Sequence, residues 1–537
     1  MSRGSYQLER GGTGGRKRKL LIVGSVILGL IIIGVIYKQL STGGGVSILP
    51  VNGLQYDGSV TVAEKKTIRQ AIDAQKLGVK GKVTVGVKTG LDAETPQSVV
   101  AAYVPVTNKY ASRQIVNVAD LPNLSLFIPA NTDPAVKASL AAALNIPADS
   151  LKPLDGTLED IADTDIAFVP ASQVSTAVKL LSLDGAYYLD SFTKGGVFRQ
   201  VSLTGGNAKA LSAASFNSLP TKDTTLKVNM TGVTALTRLM QRKLPSVKDA
   251  TYFSEKIGPF LADADITHVS NEVSFKPGCE YSSAVFCSPP EMLTALQSSG
   301  VDLVELTGNH NNDTGNSYNT DSIKTYQSLG INTFGGGLNA AEAAKPFVST
   351  AKKSKVSFLG YNYADGPNSG AIAGATTAGA NSFNYDKIKA DIAAAKQESS
   401  FVIVDVQFWE CQAYPAGYVE FPECDLPITD QKEVFRKLVD LGADMVIGTQ
   451  AHQPQIFEFY NGKPIYYGLG NLFFEQIQWP GTERGIILTH YFKDGKLLQT
   501  KLSPTMYDRD LQTKLLPNDE ATQFLERLKQ SRESANL

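Results

Sequence analysis

The pattern of apolar and polar positions divides this chain into segments. Leu20 to Tyr37, "LLIVGSVILGLIIIGVIY", is apolar and carries no charge. From Ile48 to about Gly205, short β-rich runs such as "KVTVGV" (82–87), "LSLFIP" (124–129) and "IAFVP" (166–170) alternate with helical stretches. In one of these, Asp133 can cap a helix whose first position is Pro134, ahead of "AVKASLAAAL". This alternation predicts an α/β unit over 48–205. Residues 206–225, rich in Gly, Ala, Ser and Thr, read as an interdomain linker. Beyond it, strands are expected at 226–233, 266–270, 301–306, 355–362, 401–408, 443–449, 463–470 and 484–492. Amphipathic helices lie between most of them, for example around "PPEMLTALQSSG" and "DQKEVFRKLVDLG". Near-continuous apolar strands mean sheets covered on both faces, so 226–515 is expected to form a second α/β domain. Residues 516–537 close the chain as an amphipathic helix and a frayed tail.

At 537 residues, with 42% hydrophobic and 9% aromatic positions, the chain can build two or three globular units. Its 51 basic and 52 acidic side chains are well mixed, which excludes nucleic-acid binding or bulk-charge steering as a reading. The exception is the start. Arg16, Lys17, Arg18 and Lys19 precede the apolar run, and after Lys38 no Lys or Arg occurs until Lys65. Roughly 20 apolar residues cross a bilayer core, so 20–37 is expected to be a transmembrane anchor. The charge asymmetry then leaves 1–19 cytoplasmic and the body extracytoplasmic, on a Gly-rich tether at 38–47. A cleaved signal peptide is the alternative, but the run exceeds the usual apolar region and "KQLSTGGGVS" offers no Ala-x-Ala site. In an oxidising space the four cysteines favour two local disulfides, Cys279 with Cys287 and Cys411 with Cys424, with the other connectivities left open.

In the first unit, "AAYVPVTNK", "VNVADLPNLSL" and "LLSLDGAYY" faintly resemble extracytoplasmic solute-binding proteins of the phosphate-receptor kind. No residue there carries ligand chemistry, so a structural or spacer role is expected. The second unit resembles the CapA family of poly-γ-glutamate or capsule synthesis proteins. The stretches that carry the resemblance are "MTGVTALTRLM" (230–240), "ADITHVSNEVSF" (264–275), "LTGNHNNDTGNSYNTDSIKTYQSLGINTFGGGLNAAEA" (306–343), "VDVQFWE" (404–410), "LVDLGADMVIGTQAHQPQ" (438–455) and "NGKPIYYGLGNLFFE" (461–475). The resemblance implies a four-layer αββα sandwich of the metallo-dependent phosphatase type, with its site at the carboxyl ends of the strands. Glu272, Asn309, Gln407 and Gln450 all fall at ends of apolar runs, where loops of an α/β domain converge.

A two-ion phosphatase centre needs several carboxylates and imidazoles. The resemblance implies a Gly-Asp at the first strand, where this chain has Gly232-Val233. It implies an Asn-Leu-Glu where this chain has Ser270-Asn271-Glu272, and histidines at the positions of Gln407 and Gln450. Asn309, His310 and His452 match. Glu272, Asn309 and His452 could then hold one divalent ion (Mn, Zn or Fe) at best, or none. Gln407, Gln450 and Glu410 are further candidates, and Asp265 and His268 flank the second motif. His310 is the candidate proton donor; the alternative is that Asn309 and His310 merely tie the loop to Asp313. Asn471, in "GLGNLFF", is an orienting candidate behind the ligands. Phe408, Trp409, Tyr414, Tyr418 and Trp479 suit either a groove for an extended polymer or ordinary core packing.

The expected function is a membrane-anchored extracytoplasmic protein that assists synthesis, export or anchoring of an anionic surface polymer, poly-γ-glutamate or capsule. Its partners would be the membrane, the polymer and other membrane proteins of polymer synthesis. The alternatives are a metal-dependent phosphoesterase or polymer hydrolase, and a solute receptor built on 48–205.

Overall fold

The computed structural model describes residues 53–537 apart from 213, 217, 218, 283, 364–368, 409–430 and 536. The expected anchor, the tether, Trp409, Glu410, Cys411, Tyr414, Tyr418 and Cys424 lie outside the described residues. Among the described residues no helix is long and apolar enough to cross a membrane.

The first lobe is built on an eight-stranded sheet that runs from Leu54–Tyr56 through Val83–Gly90, Val197–Thr204, Val99–Asn108, Ile166–Pro170 and Leu126–Pro129 to Leu151–Leu154, with Val178–Leu180 paired beside Val99–Asn108. Val197–Thr204 is antiparallel to both of its neighbours, so the sheet is mixed. Thr61 and Glu64 form a capping box at the start of helix Val62–Ala74, which buries Ile68 and Ile72. Asp133 accepts the Ala135 N–H at 2.8 Å and caps helix Pro134–Ala143, with Pro134 in its first turn. One buried ion pair pins the lobe. Arg199, 2% exposed, donates to Glu64 at 2.5 and 2.9 Å, to Ser139 at 2.7 Å, to Thr89 at 3.1 Å and to the Ser59 carbonyl at 2.9 Å. Every face of the guanidinium fork is used inside the lobe, so it holds strands to helices and leaves nothing for a solute. The 206–225 segment, read as a linker, packs in part on the first lobe. Ala214 and Phe216 are buried with Ile68, Ile72 and Val85, because two apolar side chains in a polar stretch suffice to anchor it.

The second lobe stacks two sheets. One runs Asn332–Phe334, Leu303–Glu305, Ile266–Asn271, Thr225–Thr234, Arg484–Lys493, Lys496–Tyr507 and Thr513–Leu515; the other runs Phe347–Ser349, Val356–Asn362, Phe401–Gln407, Met445–Thr449, Lys463–Tyr466 and Phe457–Tyr460. Val228, Met230, Ile266 and Leu303 of the first face Phe358, Ile403, Met445 and Ile447 of the second. Met240, Leu296, Ile323 and Tyr326 cover the outside of the first sheet with helices. Ile388, Ile392, Phe435 and Leu438, from helices Tyr385–Glu398 and Gln431–Asp440, cover the second. The layers are therefore helix, sheet, sheet, helix.

Alternate residues of the inner strands point into the layer between the sheets, and near the carboxyl ends these turn polar. His268, Glu305 and Asp405 are all fully buried there. His268 Nε2 lies 3.4 Å from Asp405 Oδ2. Burial raises the Asp405 carboxyl, reinforced by Glu305, and lowers the His268 imidazole to about 3, so the pair is held neutral.

The lobes share an interface. Asp190 of the first accepts from Tyr491 Oη at 2.6 Å, from Lys227 at 2.7 Å and from Lys501 at 2.9 Å, all from the second. Gln499 donates to the Val178 carbonyl at 2.8 Å and accepts the Leu180 N–H at 3.1 Å. The last helix, Asn518–Ser534, buries Phe524, Leu525 and Leu528 in the inter-sheet core.

Candidate functional site

Strands Thr225–Thr234, Ile266–Asn271, Leu303–Glu305, Phe401–Gln407 and Met445–Thr449 deliver their carboxyl ends to one edge of the sandwich. Close backbone approach makes this possible. A Cβ on Gly232 would sit 1.9 Å from the Gly470 carbonyl oxygen, and one on Gly308 would sit 2.6 Å from the Glu272 Cα. Glycine is required at both positions, since any side chain would push the loops apart.

The loop after Leu303–Glu305 is clamped on several sides. Asn362 donates to the Thr307 carbonyl at 2.8 Å, and Asn311 donates to that of Gly308 at 3.2 Å. His310 Nδ1 lies 2.7 Å from Asp313 Oδ2, and the same carboxylate oxygen accepts the Phe286 N–H at 2.8 Å. Asp313 therefore fixes both the His310 ring and the backbone that presents Phe286.

Asn309, Gln407 and Gln450 come together. Gln407 Nε2 donates to Asn309 Oδ1 at 3.0 Å and also to Gln450 Oε1. Gln450 holds this place with a left-handed φ of 79°. Glu272, 2% exposed, neighbours the loop through its N–H to the Thr234 carbonyl at 2.9 Å and its Cα against Gly308. His452, 1% exposed, shares a 2.9 Å hydrogen bond between its Nδ1 and Asn471 Oδ1. Asn471 in turn donates to the Thr482 carbonyl at 3.0 Å, so it fixes the His452 ring from behind.

These residues do not fit a two-ion centre. Among the described residues no three His, Cys, Asp or Glu side chains are grouped so as to hold a metal ion. The amide oxygens of Asn309 and Gln450 are already engaged by the Gln407 amide, and neutral amides bring no charge to offset a divalent ion. Val233 sits in an apolar cluster with Ala235, Val273, Phe286 and Phe474 at the heart of the cleft. Asp265 lies at the far end of its strand, in an ion pair with Lys352 at 2.6 Å, and does not reach the cleft. His268 is enclosed between the sheets. Phe408 is 1% exposed and stacks on Tyr363 at 4.6 Å, so it packs the core and lines no groove. Cys279 and Cys287 form a disulfide that closes the loop carrying Phe286.

Sequence reading missed Arg238. It follows the first strand directly, and its guanidinium lies over Phe286 at 4.6 Å and over Phe474 at 5.1 Å. Its position in "MTGVTALTRLM" beside the cleft-forming strand was the available signal.

Fold and cleft together define a two-sheet α/β sandwich protein with an amide- and histidine-lined site at its strand ends. The sequence profile described as "Bacterial capsule synthesis protein PGA_cap" matches residues 227–476, the stretch that builds this cleft. The chain is 24% identical over 253 residues to the capsule biosynthesis protein CapA of Bacillus anthracis, covering 45% of this chain and 58% of that one. It is 24% identical over 214 residues to the PGA biosynthesis protein CapA of Bacillus subtilis (strain 168), covering 40% and 53%. The match thus spans little more than half the length of these relatives. A putative 5'-nucleotidase from Staphylococcus aureus, solved with α-ketoglutarate, is similar over 56% of this chain and 58% of its own, at 10% identity and a TM-score of 0.33. Residues 227–476 of the chain are thus similar to the CapA family.

Proposed function

We propose that this protein assists synthesis, export or anchoring of an anionic surface polymer of the poly-γ-glutamate or capsule kind, by binding the polymer rather than cleaving it. The sandwich is of the metallo-dependent phosphatase type, with its cleft turned to binding. The N-terminal run 20–37 anchors it in the cell membrane, with the body outside and other membrane proteins of polymer synthesis as neighbours. The observation that carries a binding role is the Gln407 amide joining Asn309 to Gln450. It closes into a neutral hydrogen-bonded cluster the positions whose side chains an ion-dependent hydrolase needs free as metal ligands. The relatives named for capsule and PGA biosynthesis supply the polymer class.

Deleting the gene and measuring the amount and chain length of surface polymer tests this. Loss of polymer, or its release into the medium, is expected, with rescue by the full chain and not by one lacking residues 1–37. Unchanged polymer in the deletion strain would overturn the proposal. Longer polymer in the deletion strain would favour the hydrolase reading, for which the 2.7 Å His310–Asp313 pair is the supporting feature.

A further inference from the structure

The cleft contains a cation that the described residues leave without a hydrogen-bond acceptor at its Nε. Arg238 Nε is buried and has no hydrogen-bond partner, and no described residue accepts from the rest of the guanidinium. Its contacts are the two aromatic rings, Phe286 and Phe474. Each ring also meets a candidate histidine: Phe286 packs edge-on with His310 at 4.5 Å, and Phe474 with His452 at 5.0 Å. His310, Phe286, Arg238, Phe474 and His452 therefore form one continuous row of contacts across the cleft, drawn from five separate segments. Val233, Ala235 and Val273 back the two phenylalanines with apolar surface.

Cation–π contacts hold a guanidinium by its charge and use none of its N–H donors. The rings also take its Nε out of water, which strengthens any hydrogen bond that atom then makes. Glu475, whose carboxyl feels the Arg238 charge, accepts the Leu239 N–H through Oε1 at 2.5 Å. Leu236 and Arg238 both adopt left-handed backbone, with φ of 51° and 53°. The chain keeps two unfavourable non-glycine conformations there, as is common where a side chain is presented to a ligand.

We infer that Arg238 is an anion seat, and that it takes a carboxylate of the polymer chain through its unused N–H fork without a metal ion. A planar carboxylate matches that fork with two parallel hydrogen bonds. His310 and His452 border the seat on either side of the aromatic pair. This inference rests on the polymer-binding reading above and assigns it a residue.

The test is calorimetric titration of a γ-linked glutamate oligomer, and separately of inorganic phosphate, into the full-length protein and its Arg238→Met and Arg238→Lys variants, each with chelator, without it, and with manganese added back. The oligomer should bind wild type, bind Arg238→Met at least tenfold more weakly, and bind Arg238→Lys in between. In parallel, butanedione modification of Arg238 in the unaltered protein, mapped by mass spectrometry, should be suppressed by the oligomer, a readout independent of how the variants fold. Equal binding by wild type and Arg238→Met, or unprotected Arg238 with oligomer bound, would overturn the seat and leave polymer binding standing. Arg238-dependent binding of phosphate alone would overturn the carboxylate assignment together with the polymer reading. Binding abolished by chelator and restored by manganese would overturn metal independence.

Discussion

Replacing Glu305 by Gln should stabilise the protein, by an amount that grows as pH rises from 4.5 to about 7 and then stays constant. Glu305 ends the strand that leads into the His310 loop and is fully buried. Burial pushes its carboxyl from 4.5 up to about 7; the Ser270 hydroxyl and the Thr307 N–H at 3.1 Å pull it back, and the nearby Glu272 charge raises it further. The folded state therefore holds the Glu305 proton more tightly than the unfolded chain does. Between those two values the native state binds more protons, so stability falls as pH rises through the window. The stabilising effect of the proton is complete below 4.5 and lost above about 7. A rise of that size corresponds to roughly 3 kcal/mol, at about 1.4 kcal/mol per tenfold. Glutamine keeps the acceptor for Thr307 and cannot ionise. Urea unfolding at pH 5 should give nearly equal stabilities for wild type and Glu305→Gln, while at pH 8 the variant should be more stable by about 3 kcal/mol. An equal gap at both pH values, or a less stable variant at pH 8, would refute the reasoning.

Three further outcomes are expected. Glu64→Gln leaves the Arg199 guanidinium buried without its counter-charge and should cost ~3–5 kcal/mol at pH 7 by chemical denaturation. Burial alone would raise the Glu64 carboxyl, but Arg199 and Thr61 overcome it and hold it below 4.5, so wild type and variant should converge as pH falls through that lowered value. Gly232→Ala places a Cβ on the Gly470 carbonyl oxygen and should destabilise by ~3 kcal/mol or more, read as a drop in the urea midpoint. Cys287→Ser opens the loop that carries Phe286 and should cost about 2–3 kcal/mol. Hydrogen exchange should show faster exchange at the Phe286 N–H, which Asp313 accepts at 2.8 Å.

Much of this architecture is written locally, and that part was legible. The apolar runs at 266–270, 355–362 and 401–408 lie within or beside strands Ile266–Asn271, Val356–Asn362 and Phe401–Gln407. Since cleft residues follow directly on strand ends, Glu272, Asn309, Gln407 and Gln450 could be found by finding the strands. What escaped depends on partners far along the chain. Lys496–Tyr507 mixes buried and half-exposed positions because one end docks on the first lobe through Gln499, so its pattern follows no simple alternation. His268 and Asp405 are distant in sequence and meet only because two sheets stack. Arg238 was passed over; its meaning comes from Phe286 and Phe474, which only the folded chain brings to it. Phe408 stayed open between groove and core because aromatic clustering in sequence does not say which side of a strand end faces the core.

The binding reading stands or falls on whether the cleft holds metal. Full-length protein should be incubated with excess manganese, zinc and iron, desalted, and measured by elemental mass spectrometry beside its His452→Ala variant. The expected result is metal far below one ion per chain and no difference between the two. One or two ions per wild-type chain, lost in His452→Ala, would contradict it and return the cleft to ion-dependent chemistry.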